Sequence, residues 1–243
     1  MSTIALYGAK GGQGVTTAAA ALAFEAFSPS KPGLLVGLAG DLAEVAGCRG
    51  GAGLADTAAS GFPPSQLAGL VIPTSTPGIG FLPAGSGRWP DAEPPEALVG
   101  WLADNNAVVD IGAAVGDPTG NAAGRFRKGI LARAECRVLV ARDCFTALKR
   151  SVGLDPRPDG ILLLTSHGSS VGAEEYQRAV GAPVLASAQL DPAVHRAVDE
   201  ATLHLERPQS LRVAVGELLG RIEGDGDRTA LLARRGAARG PAA

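Results

Sequence analysis

The stretch Gly8-Ala9-Lys10-Gly11-Gly12-Gln13-Gly14-Val15-Thr16-Thr17 constrains what this chain can fold into more than any other. It is a glycine-rich turn between an apolar run, Ile4-Ala5-Leu6-Tyr7, and an alanine-rich segment that begins near Thr16. Glycines let successive backbone N–H groups converge without Cβ clashes, and a helix following such a turn adds the positive end of its dipole. Strand, turn and helix together make a cradle for phosphate oxygens. The general pattern is Gly, four residues, then Gly-Lys-Ser/Thr. Gly8 and Gly14 keep that spacing and Thr16 supplies the hydroxyl, but Val15 stands where the lysine belongs.

The string Lys10-Gly11-Gly12-Gln13-Gly14-x-Thr16-Thr17 resembles the deviant Walker A motif of the ParA/MinD family, Lys-Gly-Gly-x-Gly-Lys-Thr-Thr/Ser, and departs from it only at Val15. In that family the first lysine of the motif reaches across a nucleotide-sandwiched dimer to the partner's phosphates. The resemblance therefore implies a homodimer with Lys10 in that role. It also implies ATP and Mg2+ as cofactors, held by the loop residues Lys10, Gly11, Gly12, Gln13, Gly14, Val15, Thr16 and Thr17. The plain alternative for the same residues is a glycine-rich turn that holds no ligand.

A chain of 243 residues with 46% hydrophobic content can bury one sizeable core, so a single domain over residues 1–222 is expected, with a basic, Gly/Ala/Pro-rich tail over 223–243. A net charge of −2 shows no global basic excess and gives no argument for DNA binding by bulk electrostatics, so any DNA contact would need a local patch. No apolar run is long enough to cross a bilayer and no signal segment precedes the first strand, which points to the cytoplasm. Cys48, Cys136 and Cys144 are widely scattered without paired ligand spacing and read as reduced thiols. His167, His195 and His204 share no ligand spacing either.

Further along, Gly33 to Leu38 is a continuous apolar run, the mark of a strand covered on both faces. ParA/MinD relatives end this strand in Asp-x-Asp, whose second aspartate orients or activates the attacking water; here the two positions hold Gly37 and Ala39. Asp41, two residues late, is the candidate to replace that aspartate. It also opens Asp41-Leu42-Ala43-Glu44, a capping-box pattern for a short helix. Gly53-Leu54-Ala55-Asp56 resembles a turn of the family's pilus-associated branch, and Gly80 to Gly85 resembles its Leu-x-Pro-Ala-Gly strand ending. Asn106 to Gly112 is an apolar strand ending in Asp110, placed as a Walker B aspartate is, so that Asp110 and Thr16 would share one magnesium ion.

Asp117-Pro118 reads as a helix start, followed by Arg125, Arg127, Lys128 and Arg133, which fit either a solvated face or a partner or DNA surface. Arg137 to Arg142 and Asp159 to Ser166 read as strands, with Asp143 as a helix cap between them. Thr165 or Ser166 and Gln189 stand where relatives carry base-reading asparagine and proline, and Asp191-Pro192 makes a helix start. In the tail, Leu231 and Leu232 beside Arg234 and Arg235 offer at most weak membrane adhesion.

The expected fold is α/β and P-loop NTPase-like, a mostly parallel sheet of seven or eight strands with helices on both faces. By resemblance the protein is an ATP-dependent dimerising switch in partitioning or positioning of a plasmid, chromosome, division site or pilus base. It would hydrolyse ATP weakly, with Lys10, Asp110 and Asp41 as catalytic candidates and an unidentified protein activator or cargo as partner. The other reading is an inactive pseudo-ATPase that keeps the fold and dimer face as a scaffold.

Overall fold

Short apolar runs bounded by Gly, Pro or polar residues leave no face for water, and each becomes a strand sandwiched between helix layers. A computed structural model describes residues 3–39, 41–113 and 121–224. The strands are β1 (Ile4–Gly8), β2 (Gly33–Gly37), β3 (Ile72–Pro73), β4 (Ile79–Leu82), β5 (Ala107–Ala113), β6 (Cys136–Arg142), β7 (Gly160–Thr165) and β8 (Val184–Gln189). They form one eight-stranded sheet in the order β3-β4-β2-β5-β1-β6-β7-β8, parallel throughout except for β3 against β4.

The helices in chain order are α1 (Val15–Ala26), α2 (Leu42–Val45), α3 (Pro64–Leu70), α4 (Glu96–Asp104), α5 (Ala122–Arg133), α6 (Phe145–Ser151), α7 (Ala173–Val180), α8 (Pro192–Asp199), α9 (Leu203–Glu206) and α10 (Gln209–Glu223). A 3₁₀ helix spans Leu54–Ser60. Strand alternation divides the core in two. Ile4, Leu6, Val108 and Val138 meet α1, α2, α8, α9 and α10 on one face, while Ala5, Tyr7, Val109, Ile111 and Leu139 meet α3, α4, α5 and α7 on the other.

On α10, Leu211, Val215, Leu218, Leu219 and Ile222 are buried at helical spacing, each contributing about 1.5–3 kcal/mol. Alternation also decides where residue 110 points. Val108 lies on the α1 side, so Asp110, two residues on, faces the start of α1 at the carboxyl edge of the sheet.

One helix start differs from expectation. α5 begins at Ala122, capped by Asn121, whose side-chain oxygen accepts from Gly124 N at 2.7 Å; the predicted start at Asp117-Pro118 lies outside the described residues. α7 has no forecast in the sequence, since its polar composition hides a single buried residue, Tyr176. Among the described residues no helix is long and apolar enough to cross a membrane.

Candidate functional site

The loop between β1 and α1 is shaped by left-handed glycines. Gly12 has φ 71° and Gly14, at the N-cap of α1, has φ 82°, a region that side-chain-bearing residues rarely adopt. A Cβ on Gly14 would also come within 2.7 Å of Leu164 Cδ1. The first bond of α1 runs from Ala18 N to Gly14 O, and no side chain caps the helix. The N–H groups of its first turn thus have no intrahelical partner, as an anion cradle requires.

The side chains around the cradle divide into those turned inward and those turned toward it. Val15 is buried, and a Cβ on Gly8 would meet its Cγ2 at 3.0 Å, so the residue in the lysine position packs beneath the loop. Gln13 is buried too, its Oε1 accepting from Arg142 N at 3.0 Å, which ties the loop to the end of β6. Lys10 is half-buried, and among the described residues its Nζ makes only a long contact, 3.4 Å, to Gly11 O of its own loop.

Asp110 is fully buried, and burial pushes its carboxyl up to about 6, against the opposing pull of the Thr16 hydroxyl, the Gly112 N–H and the Arg127 guanidinium. Oδ1 accepts from Gly112 N at 2.9 Å, while Oδ2 has no hydrogen-bond partner among the described residues. A buried carboxylate oxygen left unpartnered beside a threonine hydroxyl is a donor set for a hard divalent cation, so these residues fit magnesium. Gln13 Nε2 and Arg142 Nε, on the same sheet edge, are likewise buried without partners among the described residues.

The end of β2 carries Gly37 and, two residues on, Ala39, and neither supplies a carboxylate to the site. Gly112 has φ 73°, and a Cβ placed there would lie 2.6 Å from Ala39 Cβ, so the position that carries the water-orienting aspartate in relatives here brings a methyl group to the end of β5. Asp41 sits at the N-cap of the one-turn helix α2 and is exposed, but its side chain makes no capping bond, and no described hydrogen bond links it to the loop or to Asp110. The capping-box expectation for Asp41-x-x-Glu44 is therefore corrected. Asp143 is corrected as well: α6 has Cys144 at its N-cap, and the Asp143 carboxylate instead accepts from Ser166 N at 2.6 Å, joining the ends of β6 and β7. Asp191 does cap α8, accepting from Val194 N at 3.0 Å.

The two segments that resemble family turns dock together. Leu54 N donates to Pro83 O at 2.9 Å, Ala55 N to Ala84 O at 2.8 Å, and Gly53 N to Asp56 Oδ2 at 2.7 Å. The cationic cluster of α5 is largely neutralised. Arg125 pairs with Asp91, Lys128 with Asp155 at 2.9 Å, and Arg133 with Glu93 at 2.7 Å and Glu96 at 3.1 Å. Paired in this way, those three residues favour a solvated face over a DNA surface. The tail residues Leu231 and Leu232 lie outside the described residues.

Arg127, which the sequence groups with these surface cations, stands apart from them as a half-buried residue turned to the end of β5. Residues two apart on a helix point to nearly opposite sides, at about 100° per residue, and that spacing from Arg125 was the available signal. Its Nη1 lies 3.6 Å from the point a Gly112 Cβ would occupy, at the end of β5.

No protein-family model matches the chain, and no curated protein matches it in sequence. Solved structures do. The cell division ATPase MinD of Pyrococcus furiosus superposes with a TM-score of 0.69 at 20% identity, covering 91% of this chain and 98% of that one. The septum site-determining protein MinD of Pyrococcus horikoshii, in complex with Mg-ADP, gives 0.68 at 18% identity, covering 92% and 96%. A ParA family ATPase of Chlorobium tepidum gives 0.65 at 19% identity, covering 89% and 98%. The fold is that of the ParA and MinD ATPases over nearly the whole of each chain.

Proposed function

We propose that this protein is a nucleotide-dependent switch that closes into a homodimer around ATP and magnesium and takes part in partitioning or intracellular positioning, with very slow ATP hydrolysis. The observation that carries the reading is the pairing of an uncapped first helical turn with the unpartnered Asp110 Oδ2 beside Thr16. In the division of labour proposed, the loop N–H groups bind phosphate oxygens, Thr16 and Asp110 hold the metal, and Lys10 is the loop cation. Magnesium would supply positive charge against the charge that develops on the phosphates. The MinD of Pyrococcus horikoshii, which shares the fold, was solved with Mg-ADP, in keeping with that assignment.

Slow hydrolysis follows from two absences. Hydrogen bonds to charged groups contribute about 1.5–3 kcal/mol each, so a loop that keeps its amides retains binding without the ammonium. Catalysis loses more, because each missing preorganised donor to developing charge costs about 100- to 1,000-fold in rate. Val15 buried against Gly8 and Ala39 packed over Gly112 are also what favours the second reading, a scaffold that keeps nucleotide without turning it over.

Light scattering with and without Mg-ATP tests the switch. The wild type is expected to shift from monomer to dimer with nucleotide, and Lys10→Ala to bind nucleotide as a monomer. A wild type that binds nucleotide without any change in its oligomeric state removes the switch and leaves the scaffold, which keeps the dimer face.

A further inference from the structure

Of the four cations on α5, three are ion-paired to exposed carboxylates, whereas Arg127 makes no ion pair among the described residues. It is half-buried, and its side chain turns to the sheet edge. Its Nε donates to Ala123 O at 3.3 Å and its Nη1 to Ile111 O at 3.5 Å, both long for such bonds. A guanidinium has five N–H donors in a rigid fork suited to phosphate, and here they are scarcely used. Removing a cation partly from water without a strong acceptor is unfavourable, which makes sense where an anion arrives later.

The surroundings say which anion. Arg127 Nη1 and Ala39 Cβ converge over Gly112, two residues past Asp110, and the positive charge of Arg127 is felt by that carboxylate. The group therefore stands at the same strand end as the proposed metal ligands, approaching from the α5 face while the phosphate loop approaches from the α1 face. The loop position that holds a lysine in the general phosphate-loop pattern is here the buried Val15.

We propose that Arg127 is a phosphate-binding residue that contacts the terminal phosphate of a bound nucleoside triphosphate and takes over the charge role vacated at Val15. The inference rests on the reading that the loop holds nucleotide, and its test separates the two. Calorimetric titrations of ATP and of ADP, each with magnesium, are run on the wild type, Arg127→Gln, Arg127→Lys and Arg125→Gln, with thermal melts to check folding. Arg127→Gln is expected to weaken ATP about 10- to 100-fold and ADP less than about threefold, Arg127→Lys to restore part of the loss, and Arg125→Gln to match the wild type. Should Arg127→Gln not fold, Arg127→Lys alone must still weaken ATP more than ADP. Equal losses for both nucleotides, or none, would overturn the role of Arg127 and leave nucleotide binding intact. A wild type that takes up neither nucleotide would overturn both.

Discussion

Replacing Asp110 with asparagine isolates the cost of holding a charge ready for a metal. The carboxyl of Asp110 sits at about 6 in the folded protein against an ordinary 3.8, and burial is the main cause. The folded state therefore binds more protons than the unfolded state between those values. The stabilising contribution of Asp110 is complete below about pH 4 and is lost as pH rises through about 6. Keeping the carboxylate ionised above that range costs about 3 kcal/mol. Asparagine removes the charge but must find partners for its amide donors, which leaves a net gain of about 1–2 kcal/mol. At roughly 2–4 °C per kcal/mol for a domain of this size, Asp110→Asn should melt about 2–8 °C above the wild type at pH 8 in EDTA. The gap should close by pH 5, where the wild-type carboxyl carries its proton, and Mg-ATP should stabilise the wild type alone. Differential scanning calorimetry across that pH range reads all three. A variant that melts below the wild type at pH 8, or a gap that does not change with pH, refutes the account of Asp110 as an uncompensated buried carboxylate.

Val15→Lys should tighten Mg-ATP about tenfold and raise steady-state phosphate release, because an ammonium reaching out of the loop restores a donor to the developing charge; unchanged turnover would show that the switch position at Ala39 limits the rate instead. Gly14→Ala should lose about 1–2 kcal/mol in denaturant unfolding and weaken nucleotide binding together, since its φ of 82° and the Leu164 methyl 2.7 Å from the new Cβ both oppose it. A fully stable Gly14→Ala protein would mean that the loop is not held in this conformation.

Much of the architecture was legible because the informative residues are local. The apolar runs of β1, β2, β5, β6 and β7 mark buried strands, and glycines mark the cradle between β1 and α1. Asp110, at the end of an apolar run, is placed with Thr16 in sequence by its likeness to a Walker B aspartate behind a phosphate loop. The remainder depends on contacts between distant segments, which periodicity does not encode. Gln13 satisfies Arg142 N across 129 positions of sequence, and Asp143 bonds Ser166 N where a local cap was the simpler expectation. The cations of α5 looked like one patch until their carboxylates, brought by the segment around residues 91–96 and by Asp155, separated Arg127 from its neighbours. Asp41 illustrates the converse, a good capping residue in sequence whose side chain makes no capping bond.

In the proposed function, backbone amides and a two-residue metal site hold a triphosphate although the usual lysine is a buried valine. Titrating ATP with and without magnesium into the wild type and Thr16→Ala tests it most directly. Magnesium should strengthen binding in the wild type, and Thr16→Ala should weaken it only when magnesium is present. No heat of binding at millimolar Mg-ATP, or an equal affinity in the two proteins, would contradict it.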